Sequence, residues 1–385
     1  MMNRINSIDI ARGLVMIIMA LDHTRDLMHT DSILQSPTNL ATTTPVLFFT
    51  RWITHLCAPS FVFLSGASAW LSARKGNTGD SRRWLFKRGV FLVLLELTLV
   101  NFSLWYDIHF RSIIFQVIAA IGFGFIGLGL MYKLSPKTLG IIGLSIICLH
   151  DLLLRIPMTS ITALQLAGAW SFGGGLVKLG NVTLIFGYPV LPWFGLMLAG
   201  FACGRLFTSP MEARKKQLRR IGLIALGLFI LLRAANIYGD QAPWSVQKSP
   251  IFTFMSFMNV SKYPPSLLYT LVTMGLLFLF LSYIDGRESP FTRIATVYGK
   301  VPMFYYLVHW NLIHLLMLAM VFLQGFHADD LVFGTFQFGR PPNSGISLPW
   351  VYLVWLSVVV ALYPLCIWYG RYKSHHPEKR WLRYL

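Results

Sequence analysis

Residues 7–28 form an apolar stretch that is long enough to cross a lipid bilayer, yet this stretch carries six ionisable side chains. They are Asp9, Arg12, Asp22, His23, Arg25 and Asp26. An ionisable group inside the hydrocarbon layer costs about 2.5–3.5 kcal/mol on insertion scales, so such groups face the protein interior and have partners there. We therefore expect a helix that lies inside a bundle and lines a polar site.

The whole chain is apolar enough to be a polytopic membrane protein. Hydrophobic residues make up 55% of it and charged residues 12%, whereas about a quarter of the residues in soluble domains are charged. We predict an all-α fold, a single integral-membrane domain over residues 1–385 that is a helix bundle of about ten transmembrane helices. The predicted spans lie near residues 7–28, 47–72, 88–106, 112–132, 138–156, 183–205, 221–238, 265–284, 301–324 and 348–370.

The net charge of +18 is distributed unevenly along the chain. Most of the 33 Lys and Arg residues fall in alternate connections between the predicted spans. These basic segments are Arg4, residues 74–88 with Lys75, and residues 133–137, 205–220, 287–300 and 371–383. The positive-inside rule therefore predicts that both termini are cytoplasmic. This basic side suits anionic lipid headgroups or an anionic cytosolic ligand. The sequence contains no separate basic module of the kind that binds nucleic acid, so we do not expect nucleic-acid binding.

The cysteines predict neither a disulfide framework nor a metal site. All four fall inside predicted spans, without CxxC spacing, and no pair of them lies in an outer loop. Asp9 and Arg12 interrupt the apolar core that a cleavable signal peptide would need. We expect the first helix to stay in the mature protein.

Arg12 and His23 lie eleven residues apart, so a helix places them on one face and roughly 16 Å apart. We expect them at two depths of one cavity, with Arg12 towards the inner side. Asp9 lies one turn before Arg12 and is its candidate partner, and Asp26 lies one turn after His23 and is its candidate partner. A His held by a carboxylate can act as a general base, and an Arg can bind a phosphate or carbonyl oxygen. Acyl transfer needs both roles; the alternative is that these groups only lock helices together.

The second span adds Arg51 and His55, which are four residues apart and share a helix face. This face is a candidate for the opposite wall of the same cavity, and His55 is alternatively a packing residue. His309 and His314 are five residues apart, about 140° round a helix, which disfavours a shared metal site. Either histidine is a candidate to line the cavity.

Two family resemblances rest on these residues. An Arg, ten residues and then a His in the first membrane helix resemble the signature of the acyltransferase family 3 transmembrane acyltransferases. A closer resemblance is to the bacterial membrane family grouped with the catalytic domain of heparan-α-glucosaminide N-acetyltransferase. The strings that carry it, in order, are SIDIARGLVMIIMALDHTRD, RWITHLCAPSFVFLSGASAWL, YPVLPWFGLMLAGFACGRLF, KYPPSLLYTLVTMG and GKVPMFYYLVH.

The resemblance implies that an acetyl or other acyl group passes from cytosolic acyl-CoA to an acceptor at the outer face, often a sugar. It places the Arg and His of the motif at Arg12 and His23. The eukaryotic lysosomal member has Asn at the position of His23 and keeps its active His in the loop after the first helix. His29 is the candidate counterpart of that residue.

We therefore predict a membrane-bound, acyl-CoA-dependent acetyltransferase of the bacterial inner membrane. Its candidate catalytic residues are His23, oriented by Asp22 or Asp26, with His29 and His55 in support. Its candidate acyl-CoA-binding residues are Arg12, Arg51 and His309. A covalent acyl-His intermediate and direct transfer both fit the sequence.

The expected partners are acetyl-CoA or another acyl-CoA as donor, a small-molecule, sugar or glycan acceptor, and membrane lipids. We expect no metal and no nucleic acid. A homodimer is a candidate assembly. The alternative function is a transporter or flippase of a lipid or glycan carrier, in which the same charges form a substrate or proton path.

Overall fold

The computed structural model describes residues 5–74, 77–155 and 162–384. Arg4, Lys75 and the start of the predicted outer loop at 157–182 lie outside these ranges. The described chain is mostly helical. Its helices are α1 Asn6–Met28, α2 Pro45–Ile53, α3 Cys57–Ala73, α4 Thr78–Leu95, α5 Asn101–Trp105, α6 Val117–Leu130, α7 Pro136–Leu153, α8 Thr162–Gly168, α9 Val190–Cys203, α10 Met211–Ala235, α11 Pro250–Met258, α12 Leu267–Ile284, α13 Pro290–Lys300, α14 Pro302–Leu323 and α15 Leu348–His375. Its strands are β1 Ser112–Phe115, β2 Gly175–Leu179 and β3 Val182–Phe186.

Helices occupy all ten segments that the apolar pattern predicted. Within the described residues, six helical segments are long and apolar enough to cross a membrane. They are Pro45–Ala73, Pro136–Leu153, Val190–Thr208, Leu267–Ile284, Pro302–Leu323 and Leu348–His375. Ten transmembrane helices and cytoplasmic termini stay predictions.

A small sheet corrects the expectation of an all-α chain. The strand order is β1-β3-β2, with β1 parallel to β3 and β2 antiparallel to it. The predicted spans 112–132 and 183–205 start too early, because their first residues form β1 and β3. These are short runs of β-branched and aromatic residues, which favour strands. Proline at 189 then stops Tyr188 from being helical, and α9 begins at Val190.

Helix α1 lies at the centre of the bundle and contacts α3, α13, α14 and α15. Its closest neighbour is α13, and this approach depends on glycines. A Cβ atom on Gly13 would overlap the carbonyl oxygen of Ala295, and one on Gly299 would overlap that of Asp9. Small residues at such crossings let helix backbones approach closely within a membrane. The contact fixes the start of α1, where Asp9 and Arg12 lie.

The two ends of the bundle differ in character. One end, which we call the basic end, holds the start of α1 together with Arg88, Lys300 and Lys373 around a common cavity. The opposite end, which we call the loop end, holds the end of α1, the three-stranded sheet and the long connection between α14 and α15. Helix α1 therefore joins the two ends through the middle of the protein.

The α1–α13 contact predicts a large difference between two alanine substitutions. Gly299→Ala should lower the free energy of unfolding by about 1–3 kcal/mol, because the new methyl group overlaps backbone. Gly227→Ala in α10 is the matched control, since nothing lies within 4 Å of its Cβ position, and alanine there favours the helix. Thermal unfolding of both variants in detergent measures the difference. Equal melting temperatures would show that α1 and α13 do not pack this closely.

Candidate active site

The polar residues of α1 face two cavities rather than the single cavity expected from the sequence. Arg12 and Met16 line a cavity at the basic end. Asp22, His23 and Asp26 line a cavity at the loop end. The two groups are about three helical turns apart, or roughly 16 Å along the axis. The structure thus separates Arg12 and His23 into different compartments that share one helix.

The basic-end cavity has a volume of about 270 Å³. Arg12 donates to the hydroxyl of Ser68 and, at 3.2 Å, to the carbonyl oxygen of Leu64, and it lies 3.5 Å from Asp9. Arg88, Lys300 and Lys373 also line the cavity, and of the described residues none of its lining side chains is a carboxylate. A second cavity of about 370 Å³ shares Ala69, Ser72 and Trp84 with it. The second cavity is also lined by Asp80, so it is the basic-end cavity that suits a ligand with negative charge.

The loop-end cavity is larger, at about 660 Å³, and mixes charged groups with aromatic rings. Its charged and titratable lining residues include Asp22, His23, Arg25, Asp26, Arg51 and Lys262. Its aromatic lining residues include Trp105, Tyr188, Tyr263, Trp310, Phe336 and Phe338. A few polar groups that converge in an otherwise apolar pocket are typical of small-molecule sites.

The carboxylates at the loop end pair with arginines, not with His23. Arg25 lies 2.8 Å from Asp22 and 2.5 Å from Asp26, and Arg51 lies 3.5 Å from the second oxygen of Asp22. The expectation was that Asp22 or Asp26 orients His23; the ion pairs that the structure shows for both carboxylates are with arginines. The i, i+3 spacing of Asp22 and Arg25 puts them on adjacent turns of α1, where the arginine is the nearer partner.

His23 instead contacts α14. Its Nδ1 lies 2.7 Å from Nε2 of His309, and its ring stacks on Trp310 with centroids 3.8 Å apart. His309 is fully buried and is hydrogen-bonded at Nδ1 to the carbonyl oxygen of Tyr305, at 3.0 Å. His309 was a candidate acyl-CoA-binding residue; its side chain lies behind His23 and lines neither cavity.

His29 lies outside the loop-end cavity, although it was a candidate base. It follows the last residue of α1 and lines a separate cavity of about 140 Å³ that also touches Arg25 and Asp26. Its Nδ1 accepts a hydrogen bond from the backbone of Asp31 at 3.3 Å. Burial lowers the pKa of His29, and the nearby Asp31 offsets part of this effect. The structure does not bring His29 together with His23.

His55 is a packing residue in this structure and lines neither cavity. A turn of 3-10 helix, Thr54–Leu56, interrupts the predicted second span at this point. The Nδ1 atom of His55 lies 3.1 Å from the carbonyl oxygen of Trp52, one turn back along the chain. Arg51, a candidate acyl-CoA-binding residue, lines the loop-end cavity and not the basic-end cavity.

Lys262 and Tyr263 are residues of the loop-end cavity that the sequence analysis missed. Their loop is held by Asp240, which accepts hydrogen bonds from Ser261 and Ser266. The only signal was the string KYPPSLLYTLVTMG, which carried the family resemblance but no assigned role. A lysine and a tyrosine followed by two prolines, just before an apolar span, are the pattern that could have identified the loop.

The charges around Tyr263 change its acidity. Burial raises the pKa of its phenol, but the positive charges of Lys262 and Arg51 outweigh burial and leave the pKa below its ordinary value.

Among the residues that the structure describes, no group of three or more His, Cys, Asp or Glu could hold a metal ion. Among the described residues, the groups that line the loop-end cavity and can take part in chemistry are the imidazole of His23, the phenols of Tyr188 and Tyr263, the amine of Lys262, and the carboxylates and arginines that pair with one another.

The ion network predicts that the two carboxylates contribute unequally to stability. Asp22→Asn should lower the free energy of unfolding by about 3–5 kcal/mol, because both Arg25 and Arg51 lose a buried partner. Asp26→Asn is the matched control: the Asp26 side chain is 44% exposed, so its loss should cost about 1 kcal/mol or less. Thermal unfolding in detergent compares them. Similar losses for both variants would contradict the network.

Comparison with known proteins gives one family. The sequence model of the family described as heparan-alpha-glucosaminide N-acetyltransferase, catalytic, matches residues 4–238. The match includes Arg12, His23 and Arg51 and ends before Lys262 and His309. A comparison with curated proteins finds no match. Together with its long apolar helices, the family match identifies an integral membrane protein of acetyltransferase type. The chain belongs to the family of the heparan-α-glucosaminide N-acetyltransferase catalytic domain.

Proposed function

We propose that the protein transfers an acetyl or other acyl group from acyl-CoA, bound at the basic end, to an acceptor bound at the loop end. The observation that carries this proposal is that neighbouring residues of the chain line the two cavities. Gln116 and Val117 are consecutive residues that line different cavities. Tyr306 and Trp310 are one helical turn apart and also line different cavities. A group at the end of a long donor in one cavity would pass these residues to reach the other.

The basic-end cavity fits the donor. Arg12, Arg88, Lys300 and Lys373 supply positive charge for the phosphates of coenzyme A, and arginines suit planar, two-point recognition of phosphate. Acyl-CoA supplies the acyl group as a thioester. The charge pattern of the chain supports a cytoplasmic position for this end. We accordingly assign the protein to the bacterial inner membrane, with lipids around its exposed apolar faces.

The loop-end cavity fits an acceptor with an amine or hydroxyl group, such as a sugar or glycan. Its aromatic rings offer flat apolar surfaces, and Asp26 and Lys262 offer hydrogen bonds. His23 is the imidazole in the lining and acts as the general base. It removes the proton as the acceptor nitrogen or oxygen bonds to the acyl carbon. The carbon–sulfur bond breaks, and the proton returns to the leaving sulfur.

The proposal predicts different kinetic defects at the two ends. His23→Gln should lower kcat by roughly 10²–10⁴-fold, the usual contribution of a general base. Arg12→Gln should chiefly raise KM for acetyl-CoA, by roughly 10–100-fold, because one hydrogen bond to a charged group is lost. The measurement is transfer of labelled acetyl groups by the purified protein in detergent to a panel of amino sugars and glycans.

The control for this experiment is His109→Gln, because His109 is exposed and lines neither cavity. It should behave as wild type. Full transfer by folded His23→Gln and Arg12→Gln proteins would overturn the assigned roles. Movement of a lipid-linked glycan across vesicles without consumption of acetyl-CoA would instead favour a transporter.

A further inference from the structure

We infer that His309 is a positioning residue that sets the tautomer of His23, so that Nε2 of His23 is the basic nitrogen presented to the loop-end cavity. This inference rests on the proposed function, in which His23 is the base. It concerns a residue beyond the part of the chain that the family model matches.

The carbonyl oxygen of Tyr305 fixes the protonation of His309. It lies 3.0 Å from Nδ1 of His309, and a carbonyl oxygen can only accept a hydrogen bond. Nδ1 of His309 must therefore carry a proton. A second proton on Nε2 would place a charged imidazolium in a fully buried position within an apolar bundle, which is costly. His309 is thus neutral, with an unprotonated Nε2.

The unprotonated Nε2 of His309 then fixes the protonation of His23. The 2.7 Å contact between Nε2 of His309 and Nδ1 of His23 needs one donor. Since His309 has no proton to give there, Nδ1 of His23 carries it. In a neutral imidazole the other nitrogen is then the acceptor, and this nitrogen is Nε2. His23 is partly accessible and lines the loop-end cavity.

The ring geometry supports an in-plane hydrogen bond. The centroids of the His23 and His309 rings are 4.9 Å apart, and the rings are inclined by 21°. Two imidazoles that meet edge to edge through one hydrogen bond have this arrangement, in which the lone pair of the acceptor points at the donor. Trp310 covers the face of His23 at 3.8 Å, so the ring is held both at its edge and at its face.

This arrangement also gives the proton a defined route. When Nε2 of His23 takes a proton from the acceptor, the imidazolium keeps its Nδ1–H directed at Nε2 of His309. That nitrogen stabilises the positive charge as a hydrogen-bond acceptor. No bond to carbon forms or breaks at His309, and the proton on Nε2 of His23 goes on to the leaving sulfur.

The test exploits the reach of two amides. The amide oxygen of His309→Gln can occupy the position of Nε2 and accept from His23, whereas the shorter His309→Asn reaches only the position of Nδ1. The Gln variant should keep kcat within about tenfold of wild type, and the Asn variant should lose roughly 10²-fold or more. KM for acetyl-CoA should stay within about twofold in both, since the donor cavity is untouched.

A spectroscopic measurement separates this inference from the proposed function. Nitrogen-15 NMR of the full-length protein labelled at its 10 histidines, with His23 assigned by comparison with His23→Gln, reports which nitrogen carries the proton. We expect a protonated Nδ1 in wild type and in His309→Gln, and a changed tautomer population in His309→Asn. An unprotonated Nδ1 in wild type, or an Asn variant as active as the Gln variant, would overturn the inference. A wild-type protein with the expected tautomer but no acyl transfer would overturn only the proposed function.

Discussion

The cost of burying charge in a membrane helix is the constraint on which the rest of the site depends. Helix α1 carries its ionisable residues at both ends, and each group that is buried needs a partner. Arg12 finds its partners on α1 and α3, and Asp22 finds its partners in Arg25 and Arg51. These partners draw the surrounding helices towards α1. These polar contacts add to the glycine contacts with α13 that hold α1 in the bundle.

Much of the fold follows from the apolar pattern, but the contacts of His23 do not. Each of the ten predicted spans contains a helix, whereas α8, α11 and α13 lie outside these spans. Helical spacing put Asp22 beside Arg25 on adjacent turns. The small sheet was not predicted because apolar runs of four or five residues look the same at the start of a helix and in a strand. His309 is 286 positions from His23, and no local periodicity relates residues on α1 and α14. The nearer carboxylates therefore looked like the partners of His23.

The division into two cavities could not be predicted either, since it depends on how three elements meet. Helix α14 packs against α1, and the start of α6 lines both cavities: Val117 and Tyr306 line the basic-end cavity, whereas Gln116 and Trp310 line the loop-end cavity. Helical spacing on α1 placed Arg12 and His23 correctly on one face. The neighbouring helices then divided that face. Neighbouring residues on α6 and α14 thus line different cavities.

A neutral orienting group suits this environment better than a carboxylate would. Asp22 and Asp26 both pair with Arg25, and Asp22 also pairs with Arg51. A carboxylate that turned towards His23 would therefore leave an arginine without this partner. A buried charge without a partner costs several kcal/mol. His309 orients His23 without adding a charge, because its own proton is held by the carbonyl oxygen of Tyr305. The free-energy cost of burying an unpaired charge, which governs the contacts of α1, thus also favours a neutral imidazole behind the proposed base.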